Sequence, residues 1–189
     1  MIRGRAALLL AMLLALGIRR VDAAEIPADK RALILLRVLA YDRNLAGRSG
    51  DAVRVAVLYR AGDELSERSA GELVAAGGAV ERSVAGKPVQ LVSVAFAAET
   101  LEHDLARAGA SAVYVCSGLA GAVLSVAEAT QRRKVLSFTT EEELVKSGLA
   151  IGLLRRGERV AIVVNLVAAR AEGADLSAEL LRLAEVVGR

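Results

Sequence analysis

AVYVCSGLAGAVLSVAEATQRRKVLSF, residues 112–138, carries one full turn of the pattern that decides the fold. Ala112-Val113-Tyr114-Val115-Cys116 is a short apolar run rich in β-branched and aromatic residues, which reads as a strand. Ser117-Gly118 turns the chain into a helix from about Ala120 to Arg132, and Val135-Leu136-Ser137-Phe138 is a second strand. A link of that length is a crossover, so the two strands pair in parallel and the connection is right-handed.

The same alternation extends upstream. Val53 to Tyr59 is a strand, and Ala61-Gly62-Asp63 leads into a helix from Glu64 carrying Leu65, Leu73 and Val74. Gly77-Gly78 weakens that helix, each glycine costing about 1 kcal/mol relative to alanine, and predicts a break before Val84. Val89 to Val94 is a further strand, followed by a helix from Ala98 to Ala108 that Gly109 closes. The first helix opens at Ile26-Pro27-Ala28-Asp29 and its apolar spacing runs through Leu45. Downstream, Thr139-Thr140-Glu141 caps a short helix that ends before Gly148. Ala150–Leu154 and Val160–Val164 flank the turn Arg155-Arg156-Gly157-Glu158 and form an antiparallel hairpin. Helices over Val167–Arg170 and Ser177–Val187 close the chain, with Ser177 as N-cap. The expected architecture is α/β: a three-layer sandwich with a Rossmann-like parallel sheet and a C-terminal antiparallel hairpin.

The chain has 189 residues, enough for one domain, and 54% of them are hydrophobic, which excludes a disordered polymer. One cysteine rules out an internal disulfide framework and a multi-thiolate zinc site, and one histidine argues against most catalytic triads. Aromatics at 3% leave no stacking platform for single-stranded nucleic acid. Arg3 and Arg5 precede an apolar run from Ala6 to Leu16, too short to span a bilayer and of the length of a secretory h-region. Val21-Asp22-Ala23 is a cleavage pattern, which predicts a signal peptide over residues 1–23 and a single domain over 24–189. A retained membrane anchor is the alternative. No cysteine follows the run, so a lipoprotein is not expected. The first 23 residues hold four arginines and one aspartate, so their removal takes the net charge from +3 to zero. Nucleic-acid binding by charge is then excluded.

Candidate chemistry sits where strands end, because ligands in open parallel sheets bind at the carboxyl ends. Asp63, Ser117, Gly118, Thr139 and Thr140 all follow strands and form a candidate ligand-binding rim. The competing structural reading makes Asp63 and Thr140 helix caps and Ser117–Gly121 a tight turn. The glycine spacing there matches no nucleotide-binding motif, and no cofactor is expected. Ser66 and Ser69 have no neighbouring histidine in sequence. His103 reads as a solitary exposed side chain and Cys116 as a buried hydrophobe. Glu141-Glu142-Glu143 reads as support for a helix N-terminus rather than a metal cluster. Tyr41-Asp42-Arg43-Asn44 breaks an apolar helix with polar residues. It reads either as a cap or bridge to a neighbouring element, or as part of a partner-binding surface.

The C-terminal half, from KVLSFTTEEELVKSG through LLRLAEVV, resembles the YfiR-like (HmsC-like) periplasmic family. The resemblance rests on Thr139, Gly148, Ile151, Asn165, Ala168, Ala169, Arg170, Ser177, Leu180, Leu181, Leu183 and Ala184. GKPVQLVSVAF and SAVYVCSG look like the family's middle strands, and the helix from Lys30 to Asn44 aligns in kind. The chain departs where the family often has paired glycines, here Ser147-Gly148, and where its first helix often ends in an aromatic stretch, here Tyr41 to Asn44. It also has one cysteine where the best-known members carry disulfides. The resemblance implies a periplasmic, dimer-forming regulator without catalytic residues. Its partner would be a membrane signalling protein, a diguanylate cyclase or sensor kinase, and its output lower cyclic di-GMP. A small periplasmic ligand-binding protein using the strand-end rim is the alternative reading.

Overall fold

The computed structural model describes residues 25–80 and 83–188, so the expected signal peptide lies outside the described residues. The chain runs through α1 (Ala28–Ala40), α2 (Leu45–Arg48), β1 (Val53–Tyr59), α3 (Glu64–Val80), β2 (Ser83–Val84), β3 (Lys87–Ala95), α4 (Leu101–Arg107) and β4 (Ala112–Val115). A 3₁₀ turn at Ala120–Ala122 leads into α5 (Val123–Arg133). Then follow β5 (Leu136–Thr139), α6 (Glu142–Lys146), β6 (Ile151–Arg156), β7 (Arg159–Asn165), α7 (Leu166–Ala171), α8 (Ala178–Leu183) and β8 (Glu185–Val187). The sheet order is β2-β3-β1-β4-β5-β6-β7-β8. β1 pairs in parallel with β3 and β4, and β4 with β5 and β5 with β6 continue in parallel. β6 and β7 form the expected antiparallel hairpin, from Ile151 opposite Val164 to Arg156 opposite Arg159.

Strand periodicity produces the three layers. Val53, Val55 and Val57 of β1 join Tyr114, Cys116 and Phe138 in one core with Leu35, Leu36 and Leu39 of α1 and Leu73 of α3. The intervening residues Ala56, Leu58, Val113 and Val115 face the opposite way, against Leu101 and Leu105 of α4 and Val123 and Val126 of α5. Central strands with both faces covered read as continuous apolar runs. β3, by contrast, alternates between exposed and half-buried positions.

Four boundaries depart from the sequence reading. α1 stops at Ala40 rather than Leu45, because the backbone of Tyr41 to Arg43 pairs with Asp175 to Ser177. α3 continues through Gly77-Gly78 to Val80. Gly77 lies against β3, where a Cβ would stand 2.5 Å from Leu91 Cδ2, so the missing side chain lets helix and sheet approach. A hairpin not anticipated in the sequence joins β2 to β3 through Ala85 and Gly86, both at positive φ, as two-residue hairpin turns require. The helix expected over Ser177–Val187 ends at Leu183, and Glu185–Val187 form an edge strand parallel to β7. The β-branched pair Val186-Val187 favours this extended form, and an open strand was available beside it.

Candidate functional site

The order β3-β1-β4-β5 reverses between β1 and β4, the switch point at which α/β sheets open a crevice. Three of the rim residues meet there. Asp63 Oδ1 accepts hydrogen bonds from the Leu65 and Ser66 N–H groups, both 3.1 Å, and caps α3. A Cβ on Gly118, at φ +86°, would lie 2.7 Å from Asp63 Oδ2, so only glycine leaves that oxygen its place. Ser66 Oγ donates to the Ser117 carbonyl at 2.7 Å and accepts from the Arg60 N–H at 2.9 Å. These bonds stitch the loops after β1 and β4 together. The exposed Ser117 side chain tops the joint.

Thr139 and Thr140 follow β5. Thr139 is buried, and its Oγ1 accepts from the Glu141 N–H at 3.1 Å. Thr140 opens into a cleft of about 310 Å³. That cleft is lined by Glu25, Ile26, Thr140, Glu142, Leu154, Arg155 and Arg156. Glu142 pairs with Arg156 at 2.9 Å and with Lys146 at 3.6 Å, and Glu143 with Lys146 at 2.8 Å. Among the described residues no group of three acidic, histidine or cysteine side chains could hold a metal ion.

Behind Thr140 lies a polar cluster that the sequence reading missed. Arg31 projects from the apolar face of α1 into the core and is 1% exposed. Its Nη1 donates to Ser69 Oγ at 2.7 Å and to the Tyr114 hydroxyl at 3.3 Å, and lies 2.8 Å from Glu25 Oε1. Nη2 is 3.8 Å from Glu72, and the buried Nε has no partner. Burial opposes the charge, but Tyr114 and Glu25 outweigh it and raise the Arg31 pKa. Burial above all pushes the Tyr114 phenol up and takes the adjacent Cys116 thiol to about 12, leaving it unionised. The signal was present in spacing: Arg31 stands four residues before Leu35, on the stripe that faces the core. His103 is exposed, as expected.

The turn after α1 is an internal joint. Asp42 is buried, with Oδ1 accepting from the Asn44 and Asp175 N–H groups at 3.0 and 2.9 Å, and Oδ2 paired with Arg48 at 2.6 Å. Arg48 and Asn44 both donate to the Gly173 carbonyl. Arg43 stays exposed, 3.8 Å from Asp175. Tyr41 is half-buried in an apolar groove of about 270 Å³ with Ile34, Val38, Val160, Ile162, Leu180 and Leu183, and Arg37 at its edge.

A sheet of this order with helices on both faces defines the class. Its likeness extends to solved structures of bacterial origin, each with a TM-score of 0.60. They include an ABC domain in complex with L-Trp from Streptococcus pneumonia, at 14% identity over 85% of this chain. A substrate binding protein with adhesive properties from Clostridium difficile, in its ligand-free open form, is 15% identical over 86% of this chain. A conserved domain protein from Vibrio cholerae is 14% identical over 85%. The chain spans 60% of the length of each, and at such identity the likeness is one of fold. No curated protein matches the chain. The YfiR/HmsC-like family model matches residues 32–185, and the chain belongs to that family. Among the described residues no helix is long and apolar enough to cross a membrane.

Proposed function

We propose that this protein is a periplasmic, non-catalytic regulator. It binds the periplasmic part of a membrane signalling protein, a diguanylate cyclase or sensor kinase, and restrains cyclic di-GMP output. The observation that carries this reading is the family match across residues 32–185. The rim at the switch point gives less support to a ligand-binding role, because Asp63 and the Ser117 carbonyl are taken up by bonds within the fold.

The docking surface in this reading is the groove between α1, β7 and α8. Interfaces combine an apolar centre with a polar rim. Ile34, Tyr41, Val160 and Ile162 supply the centre, with Leu183 standing 69% exposed at its edge. Arg37, and Arg43 with Asn44 just beyond Tyr41, supply the rim. Asp42 holds this edge in place from beneath rather than touching the partner.

Capture from detergent-solubilised membranes, with the purified domain as bait, tests the reading. The wild type should retain a membrane cyclase or kinase. Leu183→Glu and Arg43→Glu, which change exposed side chains, should lose it while melting as the wild type does. Capture of no signalling protein, or cyclic di-GMP levels unchanged by removing the protein, would overturn it.

A further inference from the structure

We propose that the Arg31 cluster is a binding site for a small organic carboxylate, and that Glu25 occupies it in cis. The inference is independent of the partner assigned above.

A buried ion pair contributes little net stability, since desolvation offsets the attraction, so packing alone gives no reason for a guanidinium at this depth. Here the nearest counter-charge does not come from a packed element. It comes from Glu25, in the short extended segment before α1, and Glu25 is itself 62% exposed. Its Oε1 meets Arg31 Nη1 at 2.8 Å and Ser69 Oγ at 3.3 Å. Arg31 Nη1 and the Ser69 hydroxyl therefore meet at the position of one carboxylate oxygen, supplied by a removable side chain, while the Tyr114 hydroxyl braces the guanidinium from its other side. The match is incomplete. Glu25 engages the guanidinium through a single oxygen, and the buried Nε–H is left without an acceptor. Guanidinium and carboxylate bind most strongly when two N–H groups meet two oxygens. A carboxylate not tethered to the chain is free to adopt that arrangement across Nη1 and Nη2.

The surroundings supply the rest of a site. Glu25, which pairs with Arg31, lines the 310 Å³ cleft together with Ile26 and Thr140. The cleft is of the size that accommodates small ligands. Ile26 and Leu154, both nearly fully buried, are the apolar residues at the floor of that cleft. The cluster also lies at the carboxyl ends of β4 and β5, where this class of sheet receives ligands.

Propionate, the side-chain fragment of glutamate, is the probe. In Glu25→Ala, and in the isosteric Glu25→Gln, sodium propionate should raise the melting temperature above a sodium chloride control of equal ionic strength. At ten times the half-saturating concentration the rise should be roughly 3–5 °C, from mass action and the size dependence of melting. The wild type, with its own carboxylate competing, should need at least tenfold more propionate. Adding Arg31→Met to Glu25→Ala should abolish the response, and Ser69→Ala or Tyr114→Phe should weaken it. Propionate should also shift the Arg31 Nε–H resonance of Glu25→Gln. Equal melting in propionate and chloride for both Glu25 variants would overturn the proposal. So would a response that persists without Arg31.

Discussion

Glu172 makes stability depend on pH in a direction opposite to that of most carboxylates. It follows α7, is fully buried, and ties three elements together. Thr130 Oγ1 lies 2.7 Å and Ser137 Oγ 2.6 Å from Oε1, and the Ser137 N–H donates to Oε2 at 2.8 Å. Burial outweighs these bonds and the charge of Arg48, and pushes the carboxyl from its ordinary 4.5 up to about 7. The site accommodates the neutral form. Thr130 Oγ1 also lies 3.0 Å from the Ala127 carbonyl, so its single proton can go there while a protonated Glu172 donates to the threonine oxygen. Between pH 4.5 and 7 the folded state then holds a proton that the unfolded chain releases. Stability falls as pH rises through that window and levels above it. At 1.36 kcal/mol per unit, the full difference is about 3 kcal/mol in favour of the acid side. Asp51 and Glu142 have lowered values through Arg54 and Arg156, so their opposing losses fall below the window. Glu141, raised by burial, adds a slope of the same sign. Urea unfolding at pH 5 and pH 8, with m-values compared, measures the effect. Glu172→Gln should remove most of the slope. A wild type no more stable at pH 5 than at pH 8, or an undiminished slope in Glu172→Gln, would refute the reasoning.

Three further outcomes are expected. Asp42→Ala removes the counter-charge of Arg48 and the acceptor of two backbone N–H groups, and should cost about 3 kcal/mol in urea unfolding. Leu180→Asp places an unpaired carboxylate in the core and should be strongly destabilising, whereas Leu183→Asp, on the exposed side of the same short helix, should leave the melting temperature nearly unchanged. Cys116→Ala should cost roughly 1 kcal/mol, and the native thiol should resist alkylation, because it is buried and unionised at neutral pH.

Periodicity carried most of the fold. The runs around β1, β4 and β5 are apolar on both faces, and that alone implies helices on either side. Ser177 caps α8 through a bond from the Leu180 N–H at 3.3 Å, as its residue type suggested. The errors arose where a local pattern met a distant partner. Leu180, Leu181 and Ala184 recur at helical spacing, yet Val186 and Val187 lie beside β7, and pairing to an open edge outweighs one more helical turn. Leu181 is accordingly half-buried against the core rather than within it, and Leu180 alone of α8 is fully buried.

The polar residues were harder to read because their roles depend on partners remote in sequence. Asp42 bonds the backbone of Asp175, Ser137 and Thr130 bond Glu172, and Arg31 bonds Ser69 and Tyr114. No short-range motif encodes such pairs, and each reads in isolation as a solvated charge or a cap. Their burial has a functional consequence. Asp42 is buried and already holds two backbone N–H groups and an arginine, whereas Arg43 beside it is exposed, so in the proposed docking surface Arg43 is the residue that meets a partner. Of the two readings that the polar turn allowed, the bridge is seen in the bonds of Asp42 to Asp175 and Arg48, and the partner surface is the proposal made above for the residues beside it. Asp42 fixes the geometry, and Tyr41 and Arg43 face outward from it beside an apolar groove. Exchanging Arg43 should alter partner choice without loss of stability, and exchanging Asp42 should lose both together.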